Sequence, residues 1–330
     1  MNLVELLKLE EVVVSAARSC LKKEGFTEAW PPHITAVTGA CENPYTLFEV
    51  GVNGDLKWYG RRAFLAQTAQ LYLETLVPKV GGVFTIGPSF RAEPRVDSRH
   101  LTEFTMIEIE FPGDFEALIQ HIERVINAIK EAVIRIGPEI GVPEETLKEL
   151  SRWPKVFPRI TYDKAIELLQ DKGEQISWGD DIDSKQEQMI VAHFDGWPVF
   201  ITLYPDPMWD HGKEIEVEKF FNMLPDPENP GRVFSSDLIF PYGGEAVGAA
   251  MRVHVYKEIL RRLINSRMFH RLQRKRITLK DFSWYLDNIK EKGSVPHSGC
   301  GFGVPRIMQS ITKRPIQESV VFCNQQDRLR

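Results

Sequence analysis

The sequence predicts an α+β protein in which helices flank paired strands. Apolar residues recur at helical spacing in residues 3–24 and again in residues 114–136, which is the pattern of amphipathic helices. Between them, residues 81–110 contain two extended segments joined by a polar loop, which is typical of a paired set of strands. A strand pair between long helices is the pattern that favours the α+β class.

The remaining elements follow in chain order. The first helix ends at Gly25, a residue that commonly stops helices. Residues 48–52 and 58–65 are predicted as strands, and residues 67–76 as a short helix. Residues 140–158 contain several prolines and are predicted as a surface region.

Length and composition indicate an ordinary globular chain. With 330 residues, 43% hydrophobic and 26% charged, it can bury one large core or two small ones. No apolar run approaches the roughly 20 residues that span a bilayer, and the N-terminal segment MNLVELLKLEE is acidic where a signal peptide would be basic. We therefore expect a cytoplasmic protein without membrane association.

The net charge of −5 disfavours a surface built mainly to bind nucleic acid.

The four cysteines do not suggest a metal site. None of them has the CxxC spacing of a zinc ligand pair, and their scatter does not indicate a disulfide framework. We predict reduced thiols at Cys20, Cys41, Cys300 and Cys323.

The first strand of the 81–110 pair carries residues that suit a phosphate group. Arg91 and Glu93 alternate along it, so both should point to the same face. A planar guanidinium fits a pair of phosphate oxygens, and a carboxylate can accept a hydrogen bond from an exocyclic amine.

The turn and the second strand add further candidates for a nucleotide site. These are Arg99, His100, Glu103, Phe104 and Glu108. Phe104 offers an aromatic face to a purine, so the whole segment favours a nucleoside triphosphate. For any one of these residues, the alternative is a solvated hairpin with cross-strand ion pairs.

The order of these residues resembles a known family. FRAE followed by RHLTEFTMIEIE is similar to motif 2 of class II aminoacyl-tRNA synthetases, in the aspartyl, asparaginyl and lysyl subgroup. GSVPHSGCGFGVPRI resembles motif 3, in which Arg306 opposes the motif 2 arginine, and GFTEAWPPHI resembles motif 1, with Pro32 at a subunit interface. Motifs 2 and 3 lie far apart in the chain and in the right order, and together they make a specific signal. The resemblance implies a class II synthetase-like antiparallel sheet and a homodimer.

The resemblance also implies ATP and Mg²⁺ as cofactors. Arg91 and Arg306 would be catalytic. The ATP-binding residues would be Arg91, Glu93, Arg99, His100, Phe104, Glu245 and Arg306. In SSDLIFPYGGEAVGAAMRVH, Asp237 and Glu245 would hold magnesium, for which oxygen ligands are suited. The alternative for this acidic pair is a turn cap and a solvated carboxylate.

The amino-acid substrate would be bound by a second set of residues. By resemblance these are Glu42, Thr68, Gln70, Glu108 and Arg252. Aspartate enzymes carry a lysine where this chain has Leu73, and Glu108 stands where asparaginyl enzymes have a glutamate. The loss of a cation and the presence of a carboxylate favour asparagine over aspartate. The alternative is that Leu73 is helix core and that Glu108 pairs with Arg252.

Several departures from the family pattern stand out. Pro305 replaces an acidic residue, Gly248 replaces a serine, and IQESVVFCN replaces the usual ending. Residues 205–219 form a longer link than usual and are interpreted as a remodelled lid, in which His211 is more simply a solvent-exposed loop residue than a catalytic one. A basic run follows, interpreted either as a solvated helix face or as a surface for a polyanion. Its members are Arg261, Arg262, Arg267, Arg271, Arg274, Lys275 and Arg276.

These patterns predict an ATP-dependent enzyme that activates asparagine or aspartate as an aminoacyl-adenylate. We expect a single catalytic domain over residues 1–330, with a helical insertion at about 114–195 and without the anticodon-binding barrel of full-length relatives. Ammonia or another small amine is therefore the first candidate acceptor. Transfer to tRNA is possible but less favoured, and a non-catalytic regulator that binds ATP or an amino acid is the third reading.

Overall fold

The computed structural model describes residues 1–37, 44–94, 97–217 and 219–327, and its centre is one large sheet. The strands are β1 (Thr27–Glu28), β2 (Ile34–Thr35), β3 (Glu49–Val50), β4 (Ala63–Leu65), β5 (Val83–Phe90), β6 (Glu103–Phe111), β7 (Arg159–Thr161), β8 (Val199–Thr202), β9 (Ser235–Phe240), β10 (Gly244–Arg252) and β11 (His297–Gly303). Eight of them form the sheet in the order β1-β5-β6-β11-β10-β9-β8-β7, and β2-β4-β3 form a small second sheet.

The large sheet is antiparallel except at its two edges. β1 pairs in parallel with β5 and β7 in parallel with β8, whereas the central pairs are antiparallel. Helices surround it: α1 (Leu3–Lys23), α2 (Gln70–Val80), α3 (Phe115–Ile136), α4 (Glu144–Arg152), α5 (Tyr162–Asp171), α6 (Ser184–His193), α7 (Tyr256–Asn265), α8 (Arg267–Arg274), α9 (Ser283–Lys292), α10 (Val304–Thr312) and α11 (Ile316–Ser319). The α+β prediction is therefore confirmed.

The two faces of the central strands have opposite chemistry. In β6, Ile107 and Ile109 point into a core that α1 and α3 cover, whereas Glu108 and Glu110 point to the other face and border a pocket. Strand alternation places the side chains in this way, because neighbouring residues point to opposite faces. The sheet thus buries one face against helices and keeps the other for polar chemistry.

The other helices form two groups beside the open face. α5 and α6 pack with β8 in one hydrophobic cluster, and α7, α8 and α9 form another with the segment around Phe221. Within the described ranges, no helix combines the length and the apolarity needed to cross a membrane.

The element boundaries differ in places from the predicted ones. The predicted strands at 48–52 and 58–65 shorten to β3 and β4, because residues 51–60 form an exposed, turn-rich connection. The helix predicted at 67–76 is α2, shifted toward the C-terminus. The region at 140–158 is not only surface, since it contains α4 and buries Leu150, Trp153 and Phe157.

Candidate active site

A cavity of about 570 Å³ lies over the polar face of β6, β11, β10 and β9. It brings together the predicted residues Thr68, Gln70, Arg91, Glu93, Arg99, His100, Phe104, Glu108, Asp237, Glu245, Arg252 and Arg306. Glu42 and Cys41 lie outside the described residues. The space exists because β11 presents glycines to it: a Cβ on Gly299 would overlap the Glu110 carboxylate, and one on Gly301 would lie 2.5 Å from Met106 Cε.

Arg91 lies just beyond the strand to which it was assigned. β5 ends at Phe90, and Arg91 and Glu93 follow it in an irregular segment, in which the Glu93 backbone N–H donates to Arg91 O at 2.7 Å. Both residues still border the pocket. The Arg91 backbone N–H donates to Thr102 O at 2.9 Å, which ties this segment to the start of β6. The Arg91 guanidinium carbon lies 5.4 Å from the Phe104 ring centroid. Its Nε is buried without a hydrogen-bond partner among the described residues, so an anion would satisfy a donor already in place.

The turn that carries Arg99 and His100 is organised by Asp97. The Asp97 carboxylate accepts from the backbone N–H groups of Arg99 and His100, at 2.8 and 2.9 Å, and lies 2.7 Å from His100 Nδ1. Arg99 reaches across the pocket and donates to Glu187 of α6 at 2.6 Å. Burial raises the pKa of Glu187 to about 7, against the lowering effect of Arg99.

Gly244 makes room for this ion pair. It has a φ of +66°, and a Cβ there would overlap Arg99 Nη2 and lie 2.6 Å from Glu187 Oε2. A side chain at residue 244 would therefore both strain the backbone and block the pair.

Arg306 approaches the same end of the pocket from the first turn of α10. Its Nη1 donates to Gly243 O at 3.0 Å. Burial, together with the nearby Arg99, lowers the pKa of Arg306 to about 10, so a negatively charged ligand would relieve repulsion among the arginines. Pro305, which departs from the family pattern, lies at the start of α10, where a proline is tolerated because its missing N–H has no helical partner.

The acidic pair lies on the facing strands β9 and β10. A Cβ on Gly248 would lie 3.1 Å from Glu245 Oε1 and 3.8 Å from Asp237 Oδ1, so both carboxylates converge above this glycine. Lys219 Nζ lies 2.6 Å from Asp237 Oδ2. Burial raises the pKa of Asp237 to about 6. Within the described ranges no group of three acidic, histidine or cysteine residues forms a ready metal site. Two converging carboxylates nevertheless suit a magnesium ion whose other ligands are phosphate oxygens and water.

The floor of the pocket pairs Arg252 with Glu110 rather than with Glu108. Arg252 donates from Nη2 and Nε to Glu110 Oε1, at 2.8 and 3.1 Å. Glu108 instead accepts from Thr68 Oγ1 and, at 2.8 Å, from the Ala69 backbone N–H. The alternative pairing of Glu108 with Arg252 is therefore wrong. Burial raises the pKa of Glu108, and it raises that of Glu110 to about 7.

A buried polar network supports this floor from behind. Glu74 Oε1 accepts from Gln70 Nε2 at 2.7 Å and from Asn222 Nδ2 at 2.8 Å, and Oε2 accepts from the Tyr285 hydroxyl at 2.6 Å. His297 Nε2 lies 3.5 Å from the same carboxylate. Burial alone would raise the pKa of Glu74, but His297 and its other partners hold it at about 2.

Leu73 lies in the core, as the alternative prediction for its position in α2 has it. It is fully buried, in a small cluster with Val77 and Val83, although it also borders the pocket.

The segment that follows Pro205 is held to Gly179 by the backbone N–H groups of Glu216 and Val217, and it delivers Lys219 to the pocket. His211 is only half-buried, and its Nε2 lies 3.0 Å from Asp206 O. The basic run is not one solvated face, since Arg262 is buried against Asp206.

Three site residues were missed by the sequence reasoning. Glu110 could have been found, because it lies two residues beyond Glu108 and so shares its strand face. Glu187 and Lys219 gave no such signal, since their partners Arg99 and Asp237 are distant in sequence or on another element.

Comparison with known proteins identifies the family of this chain. The family model described as tRNA synthetases class II (D, K and N) matches residues 1–326. The asparagine–tRNA ligase of Pyrococcus furiosus is 36% identical over 311 residues, which is 93% of this chain and 65% of that protein. That of Koribacter versatilis is 36% identical over 310 residues, 91% of this chain and 64% of the relative. The chain thus spans a little under two thirds of the length of these relatives.

Solved structures give the same result. The asparaginyl-tRNA synthetase from Pyrococcus horikoshii complexed with asparaginyl-adenylate has a TM-score of 0.83 and 32% identity, covering 99% of this chain and 70% of that one. The Entamoeba histolytica enzyme with asparaginyl-adenylate has a TM-score of 0.81 and 27% identity, covering 99% and 68%. The matched family model and the two sets of relatives together show that this chain belongs to the class II tRNA synthetases of the aspartate, lysine and asparagine group.

Proposed function

We propose that the protein activates an amino acid with ATP to form an aminoacyl-adenylate. The observation that carries this proposal is the convergence of two arginines and two carboxylates on one cavity. Arg91, with its unpartnered Nε, and Arg306 line the same pocket as Asp237 and Glu245. Adenylate formation needs this combination, because a triphosphate must be held while charge develops on its α-phosphoryl group.

In this proposal, different pocket residues bind different parts of ATP. Phe104 provides a face for the adenine, and Arg91, close to that ring, is placed to bind the α-phosphate. A carboxylate oxygen of the amino acid attacks the α-phosphorus, the bond from that phosphorus to the bridging oxygen breaks, and pyrophosphate leaves. Arg99 and Arg306 hold the outer phosphates. A magnesium ion held by Asp237 and Glu245 would supply further positive charge to the phosphate oxygens. No covalent nucleophile on the protein is required.

The floor of the pocket favours asparagine over aspartate. Arg252 already has a carboxylate partner in Glu110, and Glu108 adds a second acidic group beside it. A substrate carboxylate would bring a third negative charge into this buried space, whereas a neutral amide can donate to Glu108.

Two acceptors remain candidates for the activated amino acid. The names of the relatives, which are asparagine–tRNA ligases, favour tRNA. Ammonia or another small amine is the second candidate, because it needs no binding surface beyond the pocket itself. Supplying ammonium or tRNA to the preformed adenylate, and measuring which one releases AMP, would separate them.

Pyrophosphate exchange is the direct test of activation. The protein should incorporate labelled pyrophosphate into ATP when asparagine is present, and less well with aspartate. A panel of all the amino acids, with ATP alone as the blank, would identify the substrate. If no amino acid stimulates exchange above the blank, the proposal of adenylate formation fails.

We also propose that the protein is a homodimer. Apolar side chains are exposed next to Pro32: Trp30 is 81% and Ile34 41% exposed. Leu3 and Leu7 are exposed on α1. Large apolar side chains exposed beside the proline that the resemblance assigns to a subunit interface favour a protein interface over solvent.

A further inference from the structure

The turn at residues 97–100 has few hydrogen bonds of its own. Asp97 satisfies the backbone N–H groups of Arg99 and His100. The carbonyl groups of Asp97, Ser98 and His100 instead accept hydrogen bonds from residues outside the turn. A turn with unsatisfied carbonyls is expected to be mobile unless other groups supply donors. The position of Arg99 at the triphosphate end of the pocket therefore depends on what binds those carbonyls.

Most of the donors come from residues 316–325, and Gln309 of α10 adds one, from Nε2 to Ser98 O at 3.2 Å. Gln325 Nε2 donates to Asp97 O at 3.0 Å and to His100 O at 2.8 Å. Gln317 Nε2 donates to Asp97 O at 2.5 Å, and the Ile316 backbone N–H donates to Ser98 O at 3.1 Å. Gln325 is only 6% exposed, so water does not compete freely for these carbonyls.

The same segment also extends the edge of the hairpin. The Thr102 backbone N–H donates to Asn324 O at 2.9 Å, and Asn324 Nδ2 donates to Glu103 Oε2 at 3.0 Å. Leu101 packs with Ile316 and Cys323 in a small apolar cluster. Contacts of both kinds thus hold the turn, and Leu101 and Ile316 also border the pocket.

We propose that residues 316–325 act as a brace that positions the ATP-binding turn, with Gln325 as the central positioning residue. Gln325 does not line the pocket and acts on it through Arg99 and His100. Fixing these residues before ATP arrives lowers the entropy cost of binding. The inference rests on the proposed function, because it assumes that the pocket end beside Arg99 receives the triphosphate.

The chemistry of the donors suits this role. A glutamine amide satisfies carbonyls without adding a positive charge beside Arg99, Arg91 and Arg306. Neutral hydrogen bonds are also insensitive to salt, in contrast to ion pairs. The amides in the unusual IQESVVFCNQ ending can therefore organise the turn without a charged group.

The test exchanges one atom group. Gln325→Glu keeps the shape but replaces both N–H donors with an acceptor facing two carbonyls. Gln326→Glu makes the same change at an exposed neighbour that has no hydrogen bond with the described residues, and it is the matched control. For Gln325→Glu we expect the KM for ATP in pyrophosphate exchange to rise roughly tenfold, or about 1.4 kcal/mol, with kcat and the KM for asparagine unchanged. Hydrogen exchange of the 97–104 peptide should accelerate. The control should do neither.

Direct binding of a non-hydrolysable ATP analogue keeps the test independent of exchange activity. If wild type shows no exchange but Gln325→Glu weakens analogue binding and deprotects residues 97–104, the brace stands and adenylate formation fails. If Gln325→Glu lowers thermal stability too far for assay, Gln317→Glu is the second variant, with the same expected shift in smaller measure. Unchanged ATP affinity in the folded variants, or equal losses for ATP and asparagine, would overturn the proposal.

Discussion

At the scale of single residues, we propose that Glu108 controls the choice of substrate side chain. Its carboxylate accepts from Thr68 and Ala69 and is buried at the pocket floor. We predict that Glu108→Gln weakens activation of asparagine by about 1–3 kcal/mol, as expected when a buried polar partner is mismatched. Aspartate should lose less, or gain, because a negative charge beside its carboxylate is removed.

The measurement is the ratio of kcat/KM for the two amino acids in pyrophosphate exchange. If wild type prefers aspartate and Glu108→Gln leaves the ratio unchanged, the interpretation of the floor is wrong. Activation of aspartate followed by amide formation would then be the stronger hypothesis.

Arg91 and Arg306 carry the second prediction at this scale. Replacing either with alanine should reduce pyrophosphate exchange by roughly 100-fold or more, because each supplies a preorganised donor to developing charge. Circular dichroism and thermal melting should stay close to wild type. Arg135→Ala, on the exposed side of α3, removes an arginine far from the pocket and should leave exchange unaltered. Undiminished exchange in both pocket variants would contradict adenylate formation.

At the scale of elements, α6 borders the end of the pocket at which we propose that ATP binds. Its Glu187 binds Arg99 and has a pKa of about 7. Below that pH the carboxyl is neutral and releases Arg99; above it the charged carboxylate competes with the triphosphate. We therefore predict that the KM for ATP rises as the pH increases from 6 to 8, by roughly tenfold, the value of a charge-assisted hydrogen bond of about 1.5 kcal/mol.

Glu187→Gln should remove this dependence and behave like the low-pH wild type at every pH. Glu167→Gln, on the exposed face of α5, should keep the wild-type profile, which corrects for titration of ATP itself. A Glu187→Gln profile parallel to that of wild type would show that another group is responsible.

At the scale of the whole molecule, the exposed apolar residues beside Pro32 predict assembly. Light scattering at micromolar concentration should give about twice the 37.9 kDa of one chain. Trp30→Glu should shift the mass toward the monomer, because it buries a charge in the interface. Trp209→Glu alters a tryptophan that is also exposed but lies on the segment after Pro205, and it should leave the dimer intact. A monomeric wild-type protein would contradict the proposal.

The long helices and strands, and many of the residues that line the pocket, could be predicted from the sequence. α1 and α3 have their apolar residues at helical spacing, and the β5–β6 pair has its alternation and polar turn, so local patterns were enough. The motifs also named the arginines and carboxylates that meet in the cavity, from Arg91 to Arg306. Short strands such as β3 and β4 were predicted too long, because a few residues of alternation do not distinguish a strand from an extended turn.

Only the tertiary structure decided which of these side chains are partners. Arg252 binds Glu110 and not Glu108, although both acids share one strand face. Arg99 meets Glu187, and Gln325 closes the turn at residues 97–100, across separations of 88 residues and more than 200. Sequence spacing determines which face of an element a residue occupies. The partner that it finds depends on how distant elements pack, and no local pattern encodes that packing.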